Sequence, residues 1–139
     1  MWSANSILVC ALSLLGRDPR TLPPITLLEV RPIEVSPIAE AFVRNGTIHL
    51  VTSTPTFRAA RLAEQECGEM HALRKIASIV VHEEWHVRHS ADERGAYHAQ
   101  LTALNSLGSG PDTSEYYGVV RSMNAVLAAK RRETVLVQR

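Results

Sequence analysis

The chain has 139 residues, of which 45% are hydrophobic and 21% charged, and its formal net charge is +1 at pH 7. This length and composition predict a single globular domain over residues 1–139 with one hydrophobic core. Because the net charge implies no large field of one sign, the sequence predicts no nucleic-acid partner.

The N-terminal region predicts a helix that packs on the core. From about residue 4 to residue 15, apolar side chains recur at spacings of three and four residues, and Gly16 and Pro19 end the pattern. The apolar run from Ile7 to Leu15 does not resemble a secretion signal, because no basic residue precedes it and no small-x-small site follows. It is also too short to span a membrane. We therefore predict a cytoplasmic protein with no membrane partner.

The two cysteines, Cys10 and Cys67, each lack a second cysteine at metal-binding spacing. Two thiols in a domain of this size are more often small buried side chains than parts of a disulfide framework. The sequence thus predicts unlinked cysteines and a reducing compartment.

A β-hairpin is the strongest local structural signal. Asn45-Gly46 separates two extended runs within residues 41–51, and this pair favours a type I′ turn because both of its positions need positive φ. The turn fixes which residues of the two strands face one another: Val43 with Ile48, Ala41 with Leu50, and Phe42 with His49. His49 is therefore interpreted as a packed sheet residue.

The other segments predict one more strand and four more helices. The strand runs from Ile25 to Val30 and is closed by Pro32. The helices, placed by capping and stop signals, run from Pro55 to about Glu66, from about Glu69 to Arg88, from about Ala91 to Leu107, and from a cap at Asp112 or Thr113 to about Arg132. The expected architecture is α+β, with a small sheet containing the hairpin covered by about five helices.

The motif that carries chemistry is His82-Glu83-x-x-His86. On a helix it places two imidazoles one turn apart on one face, close enough to share a metal ion, with the Glu83 carboxylate about 100° away around the axis. The apolar stripe of the same helix centres well away from His82, so the helix can be anchored on one side while the histidines face a cleft. This pattern is typical of catalytic zinc sites.

A third ligand requires the chain to turn back. On an unbroken helix His89 and Glu93 would share the histidine face, but they would lie about 10 Å and 16 Å along the axis from His82. Ser90-Ala91-Asp92-Glu93 fits a capping box, so we predict that a new helix starts at Ser90 and brings Glu93 back over the histidines. Asp92 and His89 remain alternatives to Glu93.

Residues 73 to 104, roughly, resemble the zincin metallopeptidases. A glutamate from the following helix as third ligand is similar to the gluzincin branch, although the seven-residue separation of His86 and Glu93 would make this a compact variant. The resemblance implies that His82, His86 and Glu93 bind Zn²⁺. It also implies that Glu83 is the general base for hydrolysis of peptide bonds by a metal-activated water.

The metzincin pattern can be placed on the same residues with Asp92 as third ligand, but His89 then stands where that family has a glycine.

Zincins also bind an extended peptide along an edge strand, which here would be Thr47 to Val51 or its partner. On this basis the expected partner is a peptide or protein substrate.

Two other functions stay open. The chain could be a zinc-binding module that recognises a peptide or protein without cleaving it. Alternatively, the zinc could be structural, in which case four protein ligands are expected and chelation should unfold the domain.

Tyr97, four residues after Glu93, shares its face and could bind a ligand or stabilise an oxyanion, although a core role is favoured. Trp85 is interpreted as a packing residue.

Overall fold

The computed structural model describes residues 1–89 and 91–138. These residues form helices α1 (Ala4–Leu14), α2 (Pro55–Arg61), α3 (Met70–Arg88), α4 (Glu93–Ser106) and α5 (Ser114–Gln138), and strands β1 (Ile25–Leu28), β2 (Ala41–Arg44) and β3 (Thr47–Val51). The predicted α+β architecture, with a small sheet and five helices, is confirmed.

The sheet has the strand order β1-β3-β2. The hairpin of β2 and β3 is confirmed with its register, since Val43 pairs with Ile48 and Phe42 with His49. Asn45 and Gly46 both have positive φ, 53° and 74°, as the turn requires. His49 stacks on Phe42 with ring centroids 4.8 Å apart, so it is a packed sheet residue as predicted. β1 lies parallel to β3 on the side away from β2, so β1 and β2 form the two edges of the sheet.

Helix α3 is the centre of the hydrophobic core. Its apolar side packs against α1, α2 and the inner face of the sheet, and the core is built from side chains that are at most 2% exposed: Ile7, Ala11, Ile48, Leu50, Leu73, Ile76, Ala77 and Val80. At about 25 cal/mol per Å² of buried apolar surface, such burial is the main force that holds α3 in place. No helix in the described part of the chain is long and apolar enough to cross a lipid bilayer.

Several predicted boundaries were wrong. β1 ends at Leu28 rather than Val30, and α2 ends at Arg61 rather than near Glu66. α5 continues to Gln138, beyond the predicted end near Arg132, and Thr113 caps it by accepting a hydrogen bond from the Tyr116 amide. Residues with ordinary helix propensity do not mark a helix end by themselves, so the end of α5 was not visible in the pattern.

The prediction of unlinked cysteines was wrong. Cys10 and Cys67 form a disulfide, with Cα atoms 5.5 Å apart, which is within the usual range for such bonds. The bond joins α1 to the loop that precedes α3 and links residues 57 positions apart in the chain. No local pattern reveals a pairing over that distance. The N-terminal end of α1 is fastened nearby, since the Trp2 indole donates to the Ala63 carbonyl at 2.9 Å.

Candidate metal centre

His82 and His86 lie one turn apart on the face of α3 opposite its core stripe. Their rings have centroids 5.0 Å apart, and only 7% of His82 is exposed. The helix itself sets this spacing, because residues i and i+4 stack on one side. The two imidazoles therefore present nitrogen atoms to a common point.

Helix α4 packs against α3. Glu93, the first residue of α4, places its carboxylate Oε1 3.7 Å from His82 Nε2 and in direct contact with His86 Nε2. One ligand atom from each of the three residues lies within 4.8 Å of the others. Two imidazoles and a carboxylate are a common donor set for catalytic zinc, so these residues fit that ion.

The start of α4 differs from the predicted one. The helix begins at Glu93, and its N-cap is Asp92, whose carboxylate accepts hydrogen bonds from the amides of Arg94 at 3.1 Å and Gly95 at 3.3 Å. The predicted cap, Ser90, lies outside the described residues. Because Asp92 is the cap, the Glu93 side chain is available to the histidines. The Asp92 carboxylate, the alternative third ligand, is instead used in the hydrogen bonds of the cap.

His89 does not join the group either. It is exposed at the end of α3, and its ring lies against Trp85 with centroids 4.7 Å apart. Of the three residues considered from the sequence as third ligand, the structure brings only Glu93 to both histidines.

The close approach of α4 to α3 depends on Gly95. A Cβ atom at this position would lie 2.2 Å from Cζ2 of Trp85, a distance that real contacts do not reach. Trp85 is thus a packing residue, as predicted, and its ring fills the space that the missing side chain leaves. Because Gly95 is two residues after Glu93, this contact sets the position of the third donor.

Replacing Gly95 with alanine is expected to destabilise the protein by about 1–2 kcal/mol and to weaken zinc binding. Overpacking against the Trp85 ring costs about 1–3 kcal/mol, and the better helix propensity of alanine offsets at most about 1 kcal/mol. Gly118→Ala in α5 is the control, because a Cβ there meets nothing within 4 Å. Urea unfolding should show Gly118→Ala equal to or more stable than the unchanged protein. Equal stability of both variants would contradict the packing role of Gly95.

The two carboxylates of the site have opposite electrostatic environments. Burial raises the pKa of Glu93, but hydrogen bonds and attraction from His82 and His86 outweigh this and lower the pKa to about 2. Burial raises the pKa of Glu83, and its attraction to the same histidines only partly opposes the increase. Glu93 is therefore held ionised beside the imidazoles, whereas Glu83 has an increased affinity for a proton. Oε1 of Glu83 lies 4.0 Å from His82 Nε2.

Tyr97 and Gln100 extend the site along α4. Tyr97 makes an edge-on contact with the His82 ring, with centroids 4.5 Å apart, and burial together with the nearby charge of Glu93 raises its pKa to about 12. Its hydroxyl is thus protonated at neutral pH. Gln100 contacts the other nitrogen of His82, with 2.8 Å between Oε1 and Nδ1. Gln100 was not predicted from the sequence as a site residue, although it lies seven residues after Glu93 and so on the same helix face.

The site opens into a cleft of about 1040 Å³. One wall is the edge strand β2 with the loop that precedes it, and the other wall is the middle of α5. His82, Glu83, His86 and Glu93 all line it. The expected separation of an apolar anchoring side from a histidine side that faces a cleft is therefore present in α3.

Glu84, which follows Glu83, has a structural role. Its carboxylate accepts two hydrogen bonds from Arg17, both at 2.6 Å, and one from Arg88 at 3.0 Å. The bonds from Arg17, with a further contribution from Arg88, lower the pKa of Glu84 against the opposing effect of burial. This cluster fastens the C-terminal end of α3 to the segment after α1, on the side of the helix away from the candidate metal centre.

Comparison with protein-family models, curated proteins and solved structures gives no match to this chain. The resemblance to zincins, which depends on the motif and on the placement of Glu93, stays a prediction.

Proposed function

We propose that the protein is a zinc-dependent metallopeptidase. The observation that carries this proposal is the convergence of His82, His86 and Glu93 on the floor of an open cleft, with the buried carboxylate of Glu83 beside them. A zinc ion held by these three residues would polarise the scissile carbonyl and lower the pKa of a water molecule.

Glu83 has the role of general base in this proposal. It lines the cleft, lies near the three donors without being one of them, and binds a proton more tightly than an exposed glutamate because of its burial. Glu83 removes a proton from the attacking water and then gives it to the leaving amine, a contribution typically worth about 10²–10⁴-fold in rate. Tyr97 supplies a protonated hydroxyl in the same cleft that can donate to the developing oxyanion.

The substrate in this proposal is an extended peptide. β2 pairs with β3 along one side only, so its other side offers backbone N–H and C=O groups at the cleft. An extended peptide can add to such an edge as a further strand. Of the two strands expected from the sequence as the edge, it is the partner of Thr47–Val51 that occupies this position. Apolar side chains from both walls, including Val43 and Val126, line the cleft and would contact the peptide.

Zinc titration followed by a hydrolysis assay tests the proposal. The unchanged protein should bind one zinc ion and cleave a denatured protein substrate, with cleavage stopped by a chelator. Glu93→Gln should weaken zinc binding by more than the roughly 10–100-fold that loss of an outer-shell partner costs. Glu64→Gln is the control, because Glu64 is exposed and does not line the cleft.

The two alternative functions have different outcomes in this experiment. Zinc binding without cleavage of any substrate would indicate a recognition module. Unfolding of the domain upon chelation would indicate a structural zinc ion. A structural site needs four protein ligands, whereas within residues 1–89 and 91–138 the His82 group supplies three.

The disulfide leads us to propose a different compartment from the one predicted from the sequence. The cytoplasmic location predicted from the sequence remains untested, and the bond between Cys10 and Cys67 argues against it. Disulfides persist mainly in oxidising environments, whereas cytosolic thiols are kept reduced. We therefore favour an oxidising compartment as the place where this protein works.

A further inference from the structure

A buried hydrogen-bond chain connects His82 to α4 and back to α3. Gln100 Oε1 lies 2.8 Å from His82 Nδ1, Gln100 Nε2 donates to Ser78 Oγ at 3.2 Å, and Ser78 Oγ donates to the Lys75 carbonyl at 2.7 Å. The side chains are almost fully buried, with His82 7%, Gln100 4% and Ser78 0% exposed. In such a setting each polar group must be satisfied within the protein.

The hydrogen-bond chain has a defined direction, because the group at its far end can only accept a hydrogen bond. The Lys75 carbonyl has no hydrogen to give, so the single hydroxyl hydrogen of Ser78 is used in that bond. Ser78 Oγ must then accept from Gln100, which places the amide NH₂ group toward Ser78 and the amide oxygen toward His82. The oxygen can only accept, so Nδ1 of His82 must carry a hydrogen.

We propose that Gln100 is a positioning residue that selects the tautomer of His82. With hydrogen on Nδ1, the lone pair of neutral His82 lies on Nε2, the nitrogen that faces Glu93. That is the form a metal ligand needs, and the bond from Gln100 also fixes the plane of the ring. In this proposal Gln100 acts through the His82 ring that it orients, not on a substrate.

The same helix thus supplies the third donor and the partner that orients the first donor. Glu93 and Gln100 are two turns apart on one face of α4, so any shift of this helix moves both together. The importance of this pairing for catalysis rests on the proposed function, whereas the tautomer is a property of the metal-free protein. The two can therefore be tested separately.

The first test is ¹⁵N NMR of the metal-free protein with labelled histidine. In the neutral form, His82 of the unchanged protein should carry its hydrogen on Nδ1. Gln100→Met has a similar volume but neither accepts nor donates this bond, and it should give a mixture of tautomers or the opposite one. Hydrogen on Nε2 in the unchanged protein, or an unaltered tautomer in Gln100→Met, would overturn the proposal.

Zinc affinity is the second measurement. Gln100→Met should lose about 10–100-fold in affinity, the usual effect of removing an outer-shell partner. Gln100→Glu keeps an acceptor oxygen and should restore most of the binding, which a purely structural role would not predict. Gln65→Met, at an exposed loop position, is the matched control and should bind as the unchanged protein does. Loss of binding in Gln100→Glu as large as in Gln100→Met would contradict the proposal.

Ser78→Ala provides the test if Gln100→Met does not fold. It keeps Gln100 but removes the acceptor that orients the amide, so His82 should show both tautomers and zinc should bind several-fold more weakly. A single, unchanged tautomer in Ser78→Ala would overturn the direction assigned to the chain. None of these measurements uses a substrate. A failure of the protein to hydrolyse peptides would therefore contradict the proposed peptidase function but would leave the assigned tautomer of His82 unaffected.

Discussion

Replacing Glu83 with glutamine is expected to abolish peptide hydrolysis and to leave zinc bound. Glutamine has nearly the same size as glutamate but cannot take a proton from water, so the loss should be at least the 10²–10⁴-fold of general base catalysis. The zinc affinity should change little, because Glu83 is not one of the three donors that lie together.

The same substitution should not destabilise the metal-free protein. Burial raises the pKa of Glu83, which means that folding disfavours the charged carboxylate. An acid whose pKa is raised in the folded state costs stability once the pH rises above its unfolded value, so a neutral amide is expected to raise the unfolding midpoint at pH 7. At a pH well below the usual glutamate pKa, where the unchanged side chain is protonated in both states, this difference should disappear.

Three measurements on purified protein check this prediction: kcat/KM on a fluorogenic peptide, zinc content, and the urea midpoint at neutral and acidic pH. Glu64→Gln serves as the control, since it changes the same side chain at an exposed position. Activity that survives in Glu83→Gln would remove the proposed base. Loss of zinc together with activity would instead make Glu83 a ligand.

The features that could be predicted from the sequence are those set by neighbours along the chain. Asn45-Gly46 determined the turn, and the turn determined the register of β2 and β3. The helical periodicity of apolar residues in α3 likewise separated its core stripe from its histidine face. Both patterns follow from backbone geometry over a few residues, so no knowledge of tertiary structure was needed.

The position of the third donor, Glu93, could be predicted from the sequence only in part. Distances along a helix showed that the chain had to turn back before Glu93, and in the structure α4 starts at Glu93 and packs against α3. The cap was assigned to Ser90, whereas Asp92 accepts the hydrogen bonds of the first turn. Both residues are good caps, and the contact between Gly95 and Trp85, which fixes how closely the helices pack, is a tertiary feature.

Gln100, the parallel pairing of β1 with β3 and the disulfide all connect segments that are distant in the sequence. Gln100 had a detectable signal, namely its position two turns after Glu93, but glutamine is an ordinary surface residue and gave no reason to select it. β1 was predicted as a strand with no partner, because parallel pairing leaves no turn signal between neighbouring strands.

Reduction of the Cys10–Cys67 disulfide is expected to destabilise the protein by about 2–4 kcal/mol. The bond closes a loop between residues 57 positions apart, which contains the whole sheet and α2. Without it the unfolded chain gains conformational freedom, and α1 is held to the rest of the protein by core packing and by hydrogen bonds near its ends, such as that from Trp2 to Ala63. Cys10 is 5% exposed and belongs to that core, whereas Cys67 lies in an exposed position that a reductant can reach.

Urea unfolding with and without a phosphine reductant measures this loss, and Cys10→Ala/Cys67→Ala provides a matched form that cannot reoxidise. A chelator must be present, because Glu66 lies beside the two cysteines and the freed thiols could bind zinc. If the cross-link is responsible, the reduced protein and the double variant should lose similar stability. An unchanged midpoint after complete reduction would contradict the prediction. A loss near 4 kcal/mol is a large part of the 5–15 kcal/mol that holds a typical domain folded, so the protein would then depend on an oxidising compartment to keep α3 and the candidate metal centre in place.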